Sequence, residues 1–91
     1  AQARTAAGLW LQKSRLSLLV VTAPPGAQIY TGNWLAGCPV GKCGRSYEDY
    51  DGVAIECQHF PDSPNKEGYP SVTLRPGEVY QEAIIFAFKT L

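Results

Sequence analysis

Two short segments of this sequence are apolar at every position: residues 18–21 (LLVV) and residues 84–88 (IIFAF). Runs of this length and composition are typical of β-strands whose two faces are both buried. A chain of 91 residues has little material with which to cover two such strands. The pattern therefore predicts an antiparallel sheet that belongs to a larger β-sandwich, because its free edges would otherwise invite pairing with other chains.

The same signals divide the rest of the chain into strands and loops. After a short apolar segment and a turn, β-branched and aromatic residues predict strands at residues 16–22, 27–31, 53–58, 72–74 and 79–88. Glycine and proline predict loops and turns at residues 24–26, 35–45, 61–70 and 75–78. No segment has helical periodicity, so the chain is predicted to be all-β, a single incomplete domain over residues 1–91.

Composition narrows the possible partners and the compartment. Eight basic and eight acidic residues give a formal net charge of zero, and no charged block argues for nucleic acid or a membrane surface. The longest apolar run, residues 16–23, is too short to span a bilayer. Three cysteines cannot form a closed disulfide framework, which favours reduced thiols and a cytoplasmic location. Because the chain lacks Met and begins at Ala1, we expect it to be processed or partial.

The strand at residues 53–58 carries a carboxylate at its centre. Burying an unpartnered carboxylate is costly, so Glu56 is expected to be paired, protonated or functional. The two-residue alternation of a strand predicts two faces, Ala54, Glu56 and Gln58 on one and Val53, Ile55 and Cys57 on the other. The apolar face would meet the core and leave the polar face in an open cleft. On this pattern alone, a surface carboxylate on an edge strand is an equally good interpretation.

Three motifs in order carry a resemblance to a known family. The stretch GVAIECQHFPDSPN (residues 52–65) resembles the late strand and loop of aldose 1-epimerases, the galactose mutarotases. PGAQIYTGN (residues 25–33) precedes it and YPSVTLRPGEVY (residues 69–80) follows it, as in that family. The resemblance implies that the chain is the C-terminal part of a large antiparallel β-sandwich, the galactose mutarotase-like supersandwich. It also implies that Glu56 is the catalytic base and that Gln28 lines the sugar site.

The resemblance further implies a reaction. Members of the family interconvert the α and β anomers of a hexose such as galactose or glucose by acid–base ring opening, without a metal or redox cofactor. Partial burial of a carboxylate suits this chemistry, because a general base works best with a pKa near the working pH. The family's general acid is a histidine that would lie upstream of Ala1, and His59 does not match it. The partners are therefore a hexose and the remainder of the chain's own polypeptide, and the isolated chain is expected to be inactive.

Several alternatives stay open. The protein could be a non-catalytic carbohydrate-binding or regulatory relative with the same sandwich, or a free-standing β-module with an unrelated role. Gln28 could be a hydrogen-bonded structural amide, and Tyr30 and Trp34 could pack either on a sugar or in the core. A zinc site is a weaker possibility. Its potential ligands would be Cys38, Cys43, Cys57 and His59, and their spacing departs from the paired spacing of structural zinc sites.

Overall fold

The computed structural model describes residues 2–90, which form five strands and one short 3-10 helix. The elements are β1 (Arg4–Leu11), β2 (Leu16–Thr22), β3 (Gly26–Tyr30), β4 (Ala54–Gln58), the 3-10 helix Ser63–Asn65 and β5 (Ile84–Thr90). All strand pairs are antiparallel, which confirms the predicted all-β class. Within residues 2–90, no helix is long and apolar enough to cross a bilayer.

A three-stranded sheet has the order β1-β2-β5, with the predicted strand at residues 16–22 in its centre. Its register aligns apolar residues in rows across the sheet: Leu9 with Leu18 and Phe88 on one face, and Gly8 with Leu19 and Ala87 on the other. Alternation along each strand keeps these rows on opposite faces. Both faces of this sheet are therefore apolar, but the predicted burial of both faces is not found within residues 2–90, where β5 is exposed at every position.

The buried core is small and lies on the central strand. Val20 has a relative exposure of 0% and Thr22 of 1%, whereas Trp10 is 65% exposed and Phe88 is 64% exposed. Most of the large apolar side chains of this sheet therefore reach solvent in the 91-residue chain.

The turn between β2 and β3 is fixed by an arginine from the first strand. The Arg4 guanidinium donates hydrogen bonds to the carbonyl oxygens of Ala23 (3.1 Å), Pro24 (2.8 Å) and Pro25 (2.7 Å). The two prolines have no N–H group and cannot extend the β2 ladder, so the chain leaves the sheet here. Arg4 thus joins the three-stranded sheet to the start of β3.

The predicted start of the last strand, residue 79, is wrong. β5 begins at Ile84, whose partner is Thr22, the last residue of β2. Before Ile84 no further β2 residue is available for pairing, and the Thr22 hydroxyl instead donates a hydrogen bond to the Ala83 carbonyl oxygen (3.2 Å). The bounds of β5 are therefore set by its partner strand and not by its own sequence pattern.

Other expected bounds also change: β3 is Gly26–Tyr30 rather than residues 27–31, and β4 is Ala54–Gln58 rather than residues 53–58. The first strand extends over Arg4–Leu11 rather than the short apolar segment alone, and the predicted strand at residues 72–74 is absent, since this exposed segment has no pairing partner among residues 2–90. The predicted turn at residues 75–78 is confirmed. Gly77 has φ +85°, and the Glu78 N–H donates to the Arg75 carbonyl oxygen at 3.0 Å.

Candidate functional site

The two-stranded sheet β3-β4 brings the two candidate site residues together. Gln28 lies directly opposite Glu56 in the register, so their side chains project from the same face. On that face the neighbouring pairs are Gly26 with Gln58 and Tyr30 with Ala54. The predicted alternation, with Glu56 on the face of its small and polar neighbours, is therefore confirmed.

The opposite face of this sheet is apolar. It carries the pairs Ala27–Cys57 and Ile29–Ile55. Val53, which precedes β4 with the same alternation, lines a cleft of 220 Å³ with apolar side chains of the three-stranded sheet, namely Leu9, Trp10, Leu11, Leu16, Leu18 and Phe88. Val53 also lines a cleft with Tyr30 and Ala54 of the Glu56 face, and Ile29 on the apolar face is 49% exposed, so the apolar face is only partly covered by this chain.

Glu56 and Gln28 are both exposed, and Gln58 is half-buried. Neither the Glu56 carboxylate nor the Gln28 amide forms a side-chain hydrogen bond or an ion pair within residues 2–90. The partial burial expected of a general base is therefore not supplied by this chain itself. The carboxylate and the amide form an open cross-strand pair that can still accept and donate hydrogen bonds.

Aromatic residues stand at both ends of this polar face. At one end the Tyr30 hydroxyl accepts a hydrogen bond from the Trp34 backbone N–H (3.1 Å), and the Trp34 side chain is 79% exposed. At the other end the ring of Phe60 lies over Gly26. Phe60 was not predicted to be a site residue, although it continues the alternation that places Glu56 and Gln58 on one face.

The long loop between β3 and β4 is held by the backbone of Gly32. The Gly32 carbonyl oxygen accepts hydrogen bonds from the N–H groups of Leu35 (3.3 Å) and Tyr50 (2.8 Å). Gly32 is buried, with φ +73°, and a Cβ at this position would lie 2.5 Å from the Gly52 carbonyl oxygen. A glycine is required here, and it joins the end of β3 to the segment that enters β4.

A charged pair orders the second half of the same loop. Asp51 Oδ2 lies 2.7 Å from Arg45 Nη1 and accepts the Glu48 backbone N–H at 3.0 Å. The Glu48 amide and the Arg45 guanidinium together lower the pKa of Asp51, because both stabilise the ionised carboxylate. This cluster lies in the segment that leads into β4 and does not include Glu56.

The loop after β4 is organised around the 3-10 helix Ser63–Asn65. The Ser63 hydroxyl and the Ser63 backbone N–H both donate to the Phe60 carbonyl oxygen, the latter at 3.2 Å. The Phe60 and Tyr69 rings pack against each other with centroids 5.1 Å apart and planes tilted by 55°. The loop therefore fixes the position of the Phe60 backbone and ring.

The remaining candidates do not form a second site within residues 2–90. Cys38, Cys43 and Cys57 are free thiols, and His59 is half-buried. No group of three or more His, Cys, Asp or Glu side chains in this part of the chain could hold a metal ion.

Comparisons with known proteins identify the family of the chain. The family model described as aldose 1-epimerase matches residues 1–87. The chain is 44% identical over 71 residues to a galactose mutarotase of Rattus norvegicus and 45% identical to one of Homo sapiens, matches that cover 78% of the chain. It is 38% identical over 87 residues, 93% of the chain, to an aldose 1-epimerase of Escherichia coli (strain K12).

The matched region is only part of these relatives. It covers 21% of the rat and human proteins and 25% of the Escherichia coli protein, so the chain spans about a fifth to a quarter of their length. No solved structure matches the chain. The family model nevertheless covers most of the sequence, including both strands of the two-stranded sheet. The chain belongs to the aldose 1-epimerase family.

Proposed function

We propose that this chain contributes the general base of an aldose 1-epimerase that interconverts the α and β anomers of a hexose such as galactose or glucose. One observation supports this most directly: Glu56 and Gln28 are a cross-strand pair on the polar face of the β3-β4 sheet. Family membership and the names of the relatives agree with the same reaction. Glu56 is the proposed base and Gln28 the proposed sugar-binding residue.

The proposed mechanism transfers two protons. The Glu56 carboxylate takes the proton of the anomeric hydroxyl while an acid gives a proton to the ring oxygen, so that the C–O bond of the ring breaks and an open-chain aldehyde forms. Rotation about the C1–C2 bond and reversal of both transfers close the ring as the other anomer. The acid is proposed to be a histidine outside these 91 residues. Because the reaction is a proton exchange, these steps require no cofactor.

The amide of Gln28 suits a binding role beside this base. Its N–H₂ group donates and its oxygen accepts, which matches the two kinds of hydrogen bond that a sugar hydroxyl forms. Opposite side chains in an antiparallel pair lie about 5 Å apart at Cβ. One hydroxyl-bearing edge of a pyranose can therefore reach both side chains at once.

Mutation of the base tests this proposal in the complete protein, meaning the natural polypeptide that carries this sequence. Glu56→Gln should lower kcat for the mutarotation of α-D-galactose, followed by polarimetry, by about 10²- to 10⁴-fold, because an amide cannot accept the proton. Sugar binding should change little, because the side chain keeps its size. Glu67→Gln, which alters an exposed carboxylate of the following loop, is the matched control.

The outcome separates the two functions left open. If wild-type protein accelerates mutarotation and Glu56→Gln keeps its rate, Glu56 is not the base. If wild-type protein binds a hexose without accelerating mutarotation, it is the non-catalytic carbohydrate-binding relative.

We also propose that the chain is an incomplete domain and packs against the remainder of its own polypeptide. Exposed apolar side chains on the three-stranded sheet support this, including Trp10 (65%), Phe86 (52%) and Phe88 (64%). Covering them would remove a destabilising apolar surface from water. The isolated chain should then be inactive, and it should self-associate or unfold without cooperativity. A stable monomer in sedimentation, with a cooperative melt in circular dichroism, would contradict this proposal.

The proposed location is the cytoplasm. Its support is that the three cysteines are free thiols, a state typical of reducing compartments. Fractionation of cells, with the protein detected by an antibody, tests it, and recovery from a secretory compartment would contradict it.

A further inference from the structure

We infer that the ring of Phe60, supported by Tyr69, forms an apolar wall of the sugar site against which one C–H face of the pyranose packs. This inference rests on the proposed function, since it assigns a further contact in the same site.

The side of the sheet on which the ring lies follows from Gly26. This glycine pairs with Gln58, and alternation along β3 points its missing side chain to the face that carries Gln28. A Cβ built there would lie 2.8 Å from two ring carbons of Phe60. The ring therefore occupies the space that a side chain at residue 26 would take, on the same face as Glu56.

The distance between this ring and the Gln28–Glu56 pair suits one sugar. Neighbouring pairs on one face of a strand are two residues apart, or about 6.7 Å. The pair next to Gly26–Gln58 on this face is Gln28–Glu56. A pyranose of roughly that width, held by its hydroxyls on this pair, would have one side against the ring.

Residues of the loop that follows β4 also hold the ring in place. Ser63 donates two hydrogen bonds to the Phe60 carbonyl oxygen, which fixes the backbone at this residue. Tyr69 packs against the ring at 5.1 Å between centroids. Phe60 still has a relative exposure of 37%, so part of the ring is open to a ligand. A fixed aromatic surface that is partly open beside polar groups has the make-up of a small-molecule site.

The chemistry of a pyranose matches this surface. Its hydroxyls lie mostly around the rim of the ring, and its C–H groups form apolar patches on the two faces. An aromatic ring offers a large apolar area at little conformational cost, while the neighbouring amide and carboxylate take the hydroxyls. Phe60 is thus a binding residue that selects for the cyclic sugar.

The test measures binding without turnover in the complete protein. The probe is 1,5-anhydro-D-galactitol, a galactopyranose analogue that lacks the anomeric hydroxyl and cannot open. Phe60→Leu should raise its Kd, measured by calorimetry, by roughly three- to tenfold, because the flat ring surface is lost. Phe60→Trp should stay within about twofold of wild type. Phe88→Leu makes the same change on β5, away from the site, and should leave Kd unchanged.

A second variant moves the ring without removing it. In Gly26→Ala the new methyl group meets the Phe60 ring at a distance that forces the ring to shift, so Kd should again rise. This variant decides the matter if Phe60→Leu fails to fold.

Unchanged Kd in the folded Phe60→Leu or Gly26→Ala variant would overturn the inference and leave the ring a packing residue. A wild-type protein that binds no pyranose would overturn it as well. Because binding needs no proton transfer, failure of Glu56 as the base would leave these measurements unaffected, so the two proposals fail separately.

Discussion

The two sheets differ in how polarity is distributed over their faces. In the three-stranded sheet, rows such as Leu18–Phe88 and Leu19–Ala87 make both faces apolar. In the two-stranded sheet, one face carries Ile29 and Ile55 and the other carries the Gln28–Glu56 pair. The first sheet offers few groups that could bind a polar ligand, so we propose that it acts as a scaffold.

This difference indicates which sheet of an all-β chain can carry binding and catalytic groups. A strand that alternates between apolar and polar side chains keeps one face against the core and one face available for water or a ligand. The polar face also has aromatic residues at its two ends, Tyr30 and Phe60. The proposed division is that the two-stranded sheet supplies the site and the three-stranded sheet supplies stability.

The largest loss of stability is expected from Gly32→Ala, at the end of the two-stranded sheet. The new Cβ would meet the Gly52 carbonyl oxygen at 2.5 Å, and the residue has φ +73°. A left-handed conformation costs an L-residue about 1–2 kcal/mol, and the steric conflict adds to it. We expect a loss of more than about 2 kcal/mol in the free energy of unfolding of the complete protein, measured in urea, together with a lower kcat/KM.

Gly37→Ala separates the conformational cost of a positive φ from the cost of the steric conflict. Gly37 also has a positive φ, +89°, but a Cβ there meets nothing within 4 Å. It should therefore show only the conformational cost, about 1 kcal/mol, and normal kcat/KM. Equal losses in the two variants would mean that the contact between Gly32 and Gly52 does not hold the loop.

The next loss of stability is expected from a substitution in the three-stranded sheet. Val20 has no exposed surface, so Val20→Ala removes buried apolar atoms and leaves a cavity. The free energy of unfolding of the complete protein should fall by about 2 kcal/mol, while kcat and KM stay close to wild type. Val79→Ala, at a position that is 85% exposed, should cost less than about 0.5 kcal/mol. A kcat that falls as strongly as stability would break the division between scaffold and site.

Much of the fold could be predicted because its signals are local. β2 was predicted over its observed bounds, since its seven residues are mostly apolar or β-branched and lie between a turn and two prolines. The face on which Glu56 lies followed from alternation alone. The start of β5 could not be predicted, because it depends on where β2 stops offering partners.

The site was predictable only in part, for the same reason. The resemblance pointed to Glu56 and Gln28, but their direct opposition depends on the register between strands separated by a long loop. The position of the Phe60 ring depends on the space left by Gly26, which has no side chain and lies on the neighbouring strand. Such contacts between distant residues leave no periodic signal in the sequence.

A smaller effect tests the explanation for the start of β5. Thr22→Val keeps the shape of a side chain that is 1% exposed but removes its hydrogen bond to the Ala83 carbonyl oxygen. We expect a loss of about 1 kcal/mol in the free energy of unfolding, the usual net value of one such bond. Thr73→Val, at an exposed position whose hydroxyl forms no hydrogen bond among residues 2–90, is the control. An unchanged unfolding midpoint for Thr22→Val would show that this bond does not anchor the chain before Ile84.

The smallest effect is expected from the charged pair in the loop that leads to the site sheet. The pKa of Asp51 is lowered by the Glu48 N–H and by Arg45, so the folded protein favours the ionised carboxylate. Its contribution to stability is fully present above the ordinary Asp pKa of about 3.9 and is lost as the pH falls through the lowered value. The effect should be small and weaker in high salt, because the pair is exposed. Unfolding midpoints between about pH 2.5 and 6 should therefore depend less on pH in Asp51→Asn than in wild type, while Glu67→Gln should follow wild type. Identical pH profiles for Asp51→Asn and wild type would show that the pair does not stabilise the loop, and would leave the Gly32 carbonyl as its main support.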